Sequence, residues 1–168
     1  ENVWNEFFSS IEQNPTQKVT SKKIIIVGGG PIGCELSQAI SRLGCSVTLI
    51  SSDRLLPTED VEASIELQTV FEEEGIQVIC NKRVSSVSKS DDGTIIVSLT
   101  DSEDSILGDH ILVATGRIPN VQNLGLDNIG VQINSKNGIQ VDDNLQTSIK
   151  GVFAAGDCTG DRQFTHYA

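Results

Sequence analysis

The spacing of apolar positions changes period several times along the chain. Ile24-Ile25-Ile26-Val27 is an unbroken β-branched run, the pattern of a strand covered on both faces. Leu36, Ile40 and Leu43 then recur at helical spacing, so a helix is expected with these three on its buried face and Gly44 as its stop. Val47-Thr48-Leu49-Ile50 reads as a second strand, and Ser51 to Pro57 as a loop. Asp60 stands where it can cap a second helix. That helix carries Val61, Ile65, Leu67, Val70 and Phe71 as its apolar face and ends at Gly75. Ile76 to Ile79 is a third short strand. The order β-α-β-α-β implies a parallel sheet with right-handed crossovers.

The period then shortens to two. Arg83 to Ser88 alternates weakly, Asp91-Asp92-Gly93 makes a turn, and Thr94 to Leu99 reads as a strand. A second turn near Ser102 leads to Ile106, which completes an antiparallel meander. Ile111 to Ala114 is expected to return as a buried strand. Val152 to Ala155 is expected as a last apolar strand, ending at Gly156-Asp157. The stretch between them is rich in Asn, Gly and Asp and reads as long connections with short strands. Ahead of the first strand, residues 1–23 are polar and broken by Asn14-Pro15-Thr16. Val3, Trp4, Phe7, Phe8 and Ile11 within them suggest a short amphipathic docking helix.

Between the first strand and the first helix lies Gly28-Gly29-Gly30-Pro31-Ile32-Gly33-Cys34-Glu35, a G-x-G-x-x-G spacing at Gly28, Gly30 and Gly33. On its own this spacing is a weak signal. Between a strand and a helix it points to dinucleotide binding. Gly28 permits the tight turn, Gly30 lets a pyrophosphate approach the backbone, and Gly33 lets helix and sheet pack closely. Pro31 and Ile32 open the helix, whose unpaired N–H groups and positive dipole end suit a phosphate. Ser51, Ser52, Asp53 and Arg54 follow the second strand, and Asp53 lies about 20 residues past the glycines, where a carboxylate accepts from a ribose 2′-hydroxyl. The fold class expected is α/β: a Rossmann-like, three-layer β-β-α arrangement with a parallel central sheet and an antiparallel β-meander.

Composition narrows the partners. The 168 residues carry 12 Lys and Arg against 23 Asp and Glu, a net charge of −11. Such a surface repels nucleic acid and anionic membranes, so neither is expected as a partner. No apolar run approaches the ~20 residues that span a bilayer, and no secretory n-region and h-region pair opens the chain. Cys34, Cys45, Cys80 and Cys158 show no C-x-x-C spacing and no histidine at metal spacing, so no metal site is expected. They read as reduced, mostly buried thiols of a protein in the cytoplasm or another reducing compartment. The chain has no methionine, which suggests an excised piece of a longer protein.

Three segments carry a resemblance: Gly28 to Glu35; Ile111-Leu112-Val113-Ala114-Thr115-Gly116-Arg117-Ile118-Pro119-Asn120; and Thr147-Ser148-Ile149-Lys150-Gly151-Val152-Phe153-Ala154-Ala155-Gly156-Asp157. In this order and spacing they resemble the pyridine nucleotide-disulfide oxidoreductases, FAD flavoproteins that include glutathione reductase, lipoamide dehydrogenase and mercuric reductase. Gln163-Phe164-Thr165-His166 looks most like the mercuric reductase branch. The resemblance implies that Gly28, Gly30 and Gly33 hold a nicotinamide dinucleotide and that Glu35 sits beside the nicotinamide and flavin rings. By position alone, Glu35 is a first-turn acid favouring the helix dipole. It implies further that Gly116 and Arg117 stand where the central domain meets the flavin domain, and that Gly156 and Asp157 meet FAD, Asp157 bonding the ribityl chain. An aspartate after a strand is otherwise a helix cap.

The chain also departs from the family. Pro31 stands where many relatives have tyrosine or valine, Ser51 where NADH users often have glutamate, and Ser52 and Thr58 where NADPH users often have arginines. NAD(H) or NADP(H) is therefore the expected cofactor. Asp53 tilts the balance towards NADH, which Arg54 partly offsets. The family's C-x-x-x-x-C redox disulfide and its catalytic His–Glu pair belong to other domains, and His110 and His166 do not match that pair. The domain reading is 1–23 as linker and docking helix, 24–120 as NAD(P)-binding domain, and 121–168 as a partial return segment of the FAD domain. The parent is expected to pass hydride from NAD(P)H to FAD and on to a disulfide or metal ion. Its expected partners are its own FAD and dimerisation domains, in a homodimer, and the chain alone is expected to be inactive. The rival readings are a stand-alone dinucleotide-binding sensor and the central domain of a flavin NADH oxidase or ferredoxin reductase-like enzyme.

Overall fold

The computed structural model describes residues 22–161 and 163, so the expected docking helix with Trp4 lies outside the described residues, as does the tail from Phe164. The chain divides into two compact units, Glu1–Gly116 and Arg117–Ala168.

The first unit contains a four-stranded and a three-stranded sheet. In chain order its elements are β1 (Lys23–Val27), α1 (Pro31–Arg42), β2 (Ser46–Ile50), α2 (Val61–Glu73), β3 (Gln77–Ile79), β4 (Val84–Lys89), β5 (Ile95–Leu99), β6 (Ser105–Gly108) and β7 (His110–Val113). The parallel sheet runs β3-β2-β1-β7, with Ile25 beside Thr48 on one side and Ile111 on the other. The meander β4-β5-β6 is antiparallel, with a register shift between Val84 and Ser86. The expected α/β, three-layer arrangement is the one observed.

Successive strand residues point to opposite faces, and β1 uses both. Ile24 and Ile26 pack on the helical side with Ile40, Val47, Leu49, Leu55, Phe71 and Ile76. Ile25, between them, packs on the meander side with Ile50, Val97 and Leu99. The contact between the sheets is tight, since a Cβ on Gly108 would come within 2.9 Å of Ile25 Cγ1. This is why the first strand reads as four apolar residues in a row.

The helices depart from the expected faces. α1 buries Gly33, Cys34, Ser37 and Ile40, and Leu43 is exposed at the C-cap. The helical wheel puts Leu43 about 120° from Ser37. Ser37 is polar at the centre of the buried face, and its hydroxyl donates to the Gly33 carbonyl at 2.7 Å. α2 buries Ser64 and Phe71, while Val61 and Ile65 face outwards. Ile65 lies about 100° around the helix from Ser64, so the apolar stripe is narrower than the composition suggests. Asp60 is the N-cap residue, as expected, but its side chain makes no capping hydrogen bond. Gly75 has φ +82 and follows the helix as expected.

Two expected strands also differ. Ile111 to Ala114 is not a buried strand: β7 is the edge of the described sheet, its residues are half-buried, and Val113 is exposed. Val152 to Ala155 forms no strand. Phe153 makes one isolated bridge to Gln146 and is exposed. A lone bridge has no neighbouring strand to extend it, so apolar content alone does not make a strand here.

The second unit is built from turns. It has 3-10 turns at Leu126–Ile129 and Gly156–Thr159 and isolated bridges at Ile133–Ile139 and Val141–Thr147. Asn134 ties it together: its Nδ2 donates to the Thr159 carbonyl at 2.8 Å, and its Oδ1 accepts from the N–H groups of Lys136 and Gly138. Among the described residues, no helix is long and apolar enough to cross a membrane.

The two aromatic and aliphatic positions of α2 separate by burial. Phe71→Ala is expected to cost about 3–5 kcal/mol in a urea titration, whereas Ile65→Ala should stay within about 0.5 kcal/mol of the parent. Equal losses would contradict the observed orientation of α2.

Candidate functional site

The glycine turn between β1 and α1 gives each glycine a different task. Gly28 has φ +122, and a Cβ there would run into the Ala114 carbonyl of the chain beside it. Its N–H donates to the Ile50 carbonyl at 2.8 Å, which locks the turn to the end of β2. A Cβ on Gly33 would overlap the Gly28 carbonyl, so α1 seats itself directly on the turn. A Cβ on Gly29 would collide with the Ser51 hydroxyl. Gly30 alone is open, with nothing within 4 Å of the place a Cβ would take.

Gly30 is also the N-cap of α1, with φ −76, and makes no side-chain cap hydrogen bond. Pro31 follows at the first helical position, where it lacks an N–H and sets the helical φ. The next donors, Ile32 and Gly33, belong to the turn whose N–H groups have no intrahelical partner. Cys34 makes the first helical bond, to the Gly30 carbonyl at 3.0 Å. Glu35 is therefore not a first-turn acid, and α1 has none. It lies in the second turn and is exposed.

The Ser51 to Glu59 loop closes over this turn. Ser51 is buried against Gly29, and its hydroxyl donates to the Arg54 carbonyl at 3.4 Å. Ser52 and Asp53 are exposed. Asp53 Oδ1 accepts the Arg54 N–H at 2.7 Å, and its Oδ2 has no hydrogen-bond partner among the described residues. The Arg54 guanidinium turns back on its own loop. Nη1 donates to the carbonyls of Leu55 and Leu56 at 3.4 and 2.9 Å. Nη2 donates to those of Pro57 and Glu59 at 3.0 and 2.6 Å. Leu56, at φ +46, sends its N–H to the Gly29 carbonyl at 2.7 Å. That carbonyl also receives the Cys34 thiol at 3.5 Å. Sequence reading missed this strap, because neither a bulky residue at positive φ nor a guanidinium folded onto its own carbonyls has a composition signal.

Cys34 is almost wholly buried, and burial pushes its thiol up to about 11 against a smaller opposing pull from the Leu56 backbone. Burial raises Cys45 and Cys80 as well. All four cysteines are free.

In the second unit, Arg117 and Asp157 come together. Arg117 Nη1 lies 3.5 Å from Asp157 Oδ2 and also donates to the Gln163 carbonyl at 3.3 Å. Asp157 sits inside the Gly156–Thr159 turn rather than at its cap, and no side chain caps that turn. Its Oδ1 is buried and has no hydrogen-bond partner among the described residues. A buried carboxylate oxygen without a donor costs at least about 1–3 kcal/mol. Gly156 also lines a cleft of about 740 Å³ with Lys136, Asp142 and Asp161. Three of its charges are engaged: Lys136 meets Asp161 at 3.3 Å, and Asp142 accepts from the Asn144 and Gln146 N–H groups. Gly116, at φ +142, ends the first unit with open space where a Cβ would sit.

Residues 6–168 match the family described as pyridine nucleotide-disulphide oxidoreductase. The chain belongs to this family. It is 38% identical over 138 residues to an NAD(P)H dehydrogenase (quinone) of Mycobacterium tuberculosis, covering 82% of this chain and 28% of the relative. A mercuric reductase of Shigella flexneri is 35% identical over 150 residues, covering 88% and 26%. Among solved structures, the HOCl-induced flavoprotein disulfide reductase RclA of Escherichia coli superposes with a TM-score of 0.80 at 29% identity, covering 90% of this chain and 34% of that one. The chain thus spans about a third or less of the length of these relatives. The family is FAD- and NAD(P)-dependent, and these relatives are oxidoreductases.

The residues fit both groups. The open backbone at Gly30, on an uncapped helix N-terminus, leaves room and donors for a pyrophosphate. The unpaired Asp157 Oδ1 fits a hydroxyl donor such as those of the FAD ribityl chain.

Cys34 offers a check on the packing against the turn. A folded thiol pKa of about 11 lies above the ordinary 9.0, so the folded state keeps a proton that the unfolded chain has lost between those values. The stabilisation is whole below pH 9.0 and declines as pH rises towards 11. Cys34→Ser should flatten that alkaline decline in melting temperature. Iodoacetamide at pH 8 should modify Cys158 well before Cys34, read by peptide mass mapping.

Proposed function

We propose that residues 24–120 form the NAD(P)H-binding domain of an FAD-dependent oxidoreductase, and that 121–168 is a return segment of its FAD domain. The observation that carries this reading is the open Gly30 position at the uncapped start of α1. Here a pyrophosphate can meet backbone N–H groups without displacing any side chain. In this role Ile32 and Gly33 donate to the phosphates, and Pro31 pre-sets the first turn of the helix. Glu35, exposed one turn further on, faces the nicotinamide end. When bound, NAD(P)H would supply a hydride for FAD to accept, and two electrons would then pass to a disulfide or a metal ion. A quinone is a second acceptor reading, favoured by the match to the Mycobacterium tuberculosis quinone dehydrogenase.

The unpaired Asp157 oxygen supports a flavoprotein over a stand-alone dinucleotide sensor, which has no use for it. Arg117 orients that carboxylate. The proposed partners are the remaining domains of the same flavoprotein, in a homodimer. Ile118, Leu124 and Phe153, exposed on the second unit, suit contact with such domains.

NADH is the proposed cofactor. A 2′-phosphate requires paired cations. Ser52 and Thr58 supply none, and Arg54 is engaged by four carbonyls. Asp53 Oδ2, without a partner among the described residues, can accept a ribose hydroxyl and repels a phosphate. Calorimetric titration at matched ionic strength should give NADH an affinity about tenfold above that of NADPH. Gly30→Val should weaken both by about tenfold or more while leaving the circular dichroism spectrum unchanged. Tighter NADPH binding would overturn the cofactor assignment, and unchanged affinity in Gly30→Val would overturn the site.

The chain alone is expected to hold no flavin. One charged hydrogen bond at Asp157 contributes about 1.5–3 kcal/mol. Immobilising a ligand costs at least about 4 kcal/mol. With FAD and either nicotinamide cofactor added, reduction of a disulfide, Hg(II) or a quinone should stay at the free-flavin blank. A yellow protein with near one flavin per chain would contradict this.

A further inference from the structure

We propose that Arg54 is a positioning residue of the phosphate turn rather than a ligand of the cofactor, and this rests on the dinucleotide-binding reading above. A guanidinium presents its N–H donors in a rigid planar fork. Here the two terminal nitrogens span four carbonyls of its own loop, those of Leu55, Leu56, Pro57 and Glu59. The loop is thereby wound around one cation. Leu55 is fully buried in the helical-side core, which pins the loop at one end. Leu56 is left at φ +46, a conformation a leucine does not hold unaided.

The consequence reaches the glycines through one bond. At that φ the Leu56 N–H meets the Gly29 carbonyl at 2.7 Å. Cys34 Sγ approaches the same oxygen at 3.5 Å. The Gly29–Gly30 peptide unit is planar and trans, so fixing its carbonyl oxygen aims the Gly30 N–H the opposite way. Gly30 is the one glycine of the turn with open space beside it. Arg54 therefore sets the direction of a phosphate-turn donor that it does not touch. A lysine cannot replace it, since one ammonium on a flexible stem cannot span four carbonyls.

Arg54→Lys and Arg54→Gln in the full chain test this, with amide hydrogen exchange at Leu56 read by NMR and titrations of NADH and NADPH at fixed ionic strength. Both variants should speed Leu56 exchange by about tenfold. Both should also weaken NADH and NADPH by the same factor, about three- to tenfold. Retaining the positive charge in Arg54→Lys should give no rescue. Loss of NADPH affinity alone, or an unchanged Leu56 exchange rate, would overturn the proposal. If the unsubstituted chain binds neither dinucleotide, the functional reading falls, while Leu56 exchange still decides whether Arg54 holds the turn.

Discussion

At the turn between β1 and α1, the Gly28 carbonyl lies where any Cβ on Gly33 would have to be. Helix and strand can meet at this separation only when residue 33 has no side chain. The same closeness lets Ser37, a small residue, sit at the centre of the helix–sheet contact with its hydroxyl turned onto the Gly33 carbonyl. It also brings Cys34 under the Gly29 carbonyl and into the core. Spacing α1 further from the sheet would break the Cys34 contact and open a void beside Ile26 and Leu49. The position of the helix N-terminus, and with it the direction of its dipole, follows from this single backbone approach.

Around that contact, polarity is handled differently in the two units. In the first, every tight place near the turn is answered locally: the Gly28 N–H by Ile50, the Gly29 carbonyl by Leu56, the Arg54 guanidinium by its own loop. What remains open is the backbone at Gly30. In the second unit the turns are likewise satisfied, by Asn134 and Asp142. The exception is Asp157 Oδ1, buried with no donor among the described residues. Because buried side-chain polar atoms are paired elsewhere among the described residues, the one orphaned oxygen is informative: a chain tolerates it where a ligand completes it.

The layers and the glycine turn were legible in the sequence, since they rest on local rules. Period two and period 3.6 are written in neighbouring residues, and a positive φ at Gly28 follows from the absence of a side chain. The errors came where burial depends on what lies across the fold. Leu43 and Ile65 have the right character for a buried face but the wrong angle on the wheel, and Val61 is exposed at the first position of its helix. Ile111 to Ala114 and Val152 to Ala155 look like core strands, but among the described residues one is an edge and the other has no partner strand. Glu35 falls in the second turn because the helix already starts at Pro31, four residues ahead of it. The Arg54 strap was invisible for a different reason. Its bonds run from a side chain to its own following carbonyls, and no spacing rule encodes a loop curled around a cation.

The charge balance explains why such backbone detail matters. A chain of net charge −11 has no long-range attraction to offer a dinucleotide. Repulsion from distant carboxylates is screened within about 8 Å at physiological salt. N–H groups in direct contact act inside that distance, where orientation decides their strength. A few oriented amides at one helix start can therefore outweigh a surface of the wrong sign, but only while they stay aimed. The same reasoning makes Arg54 more useful turned inwards than outwards. Outwards, it is one cation beside Asp53 among many acids. Inwards, it holds the Leu56 N–H on the Gly29 carbonyl and so maintains the aim of the Gly30 amide.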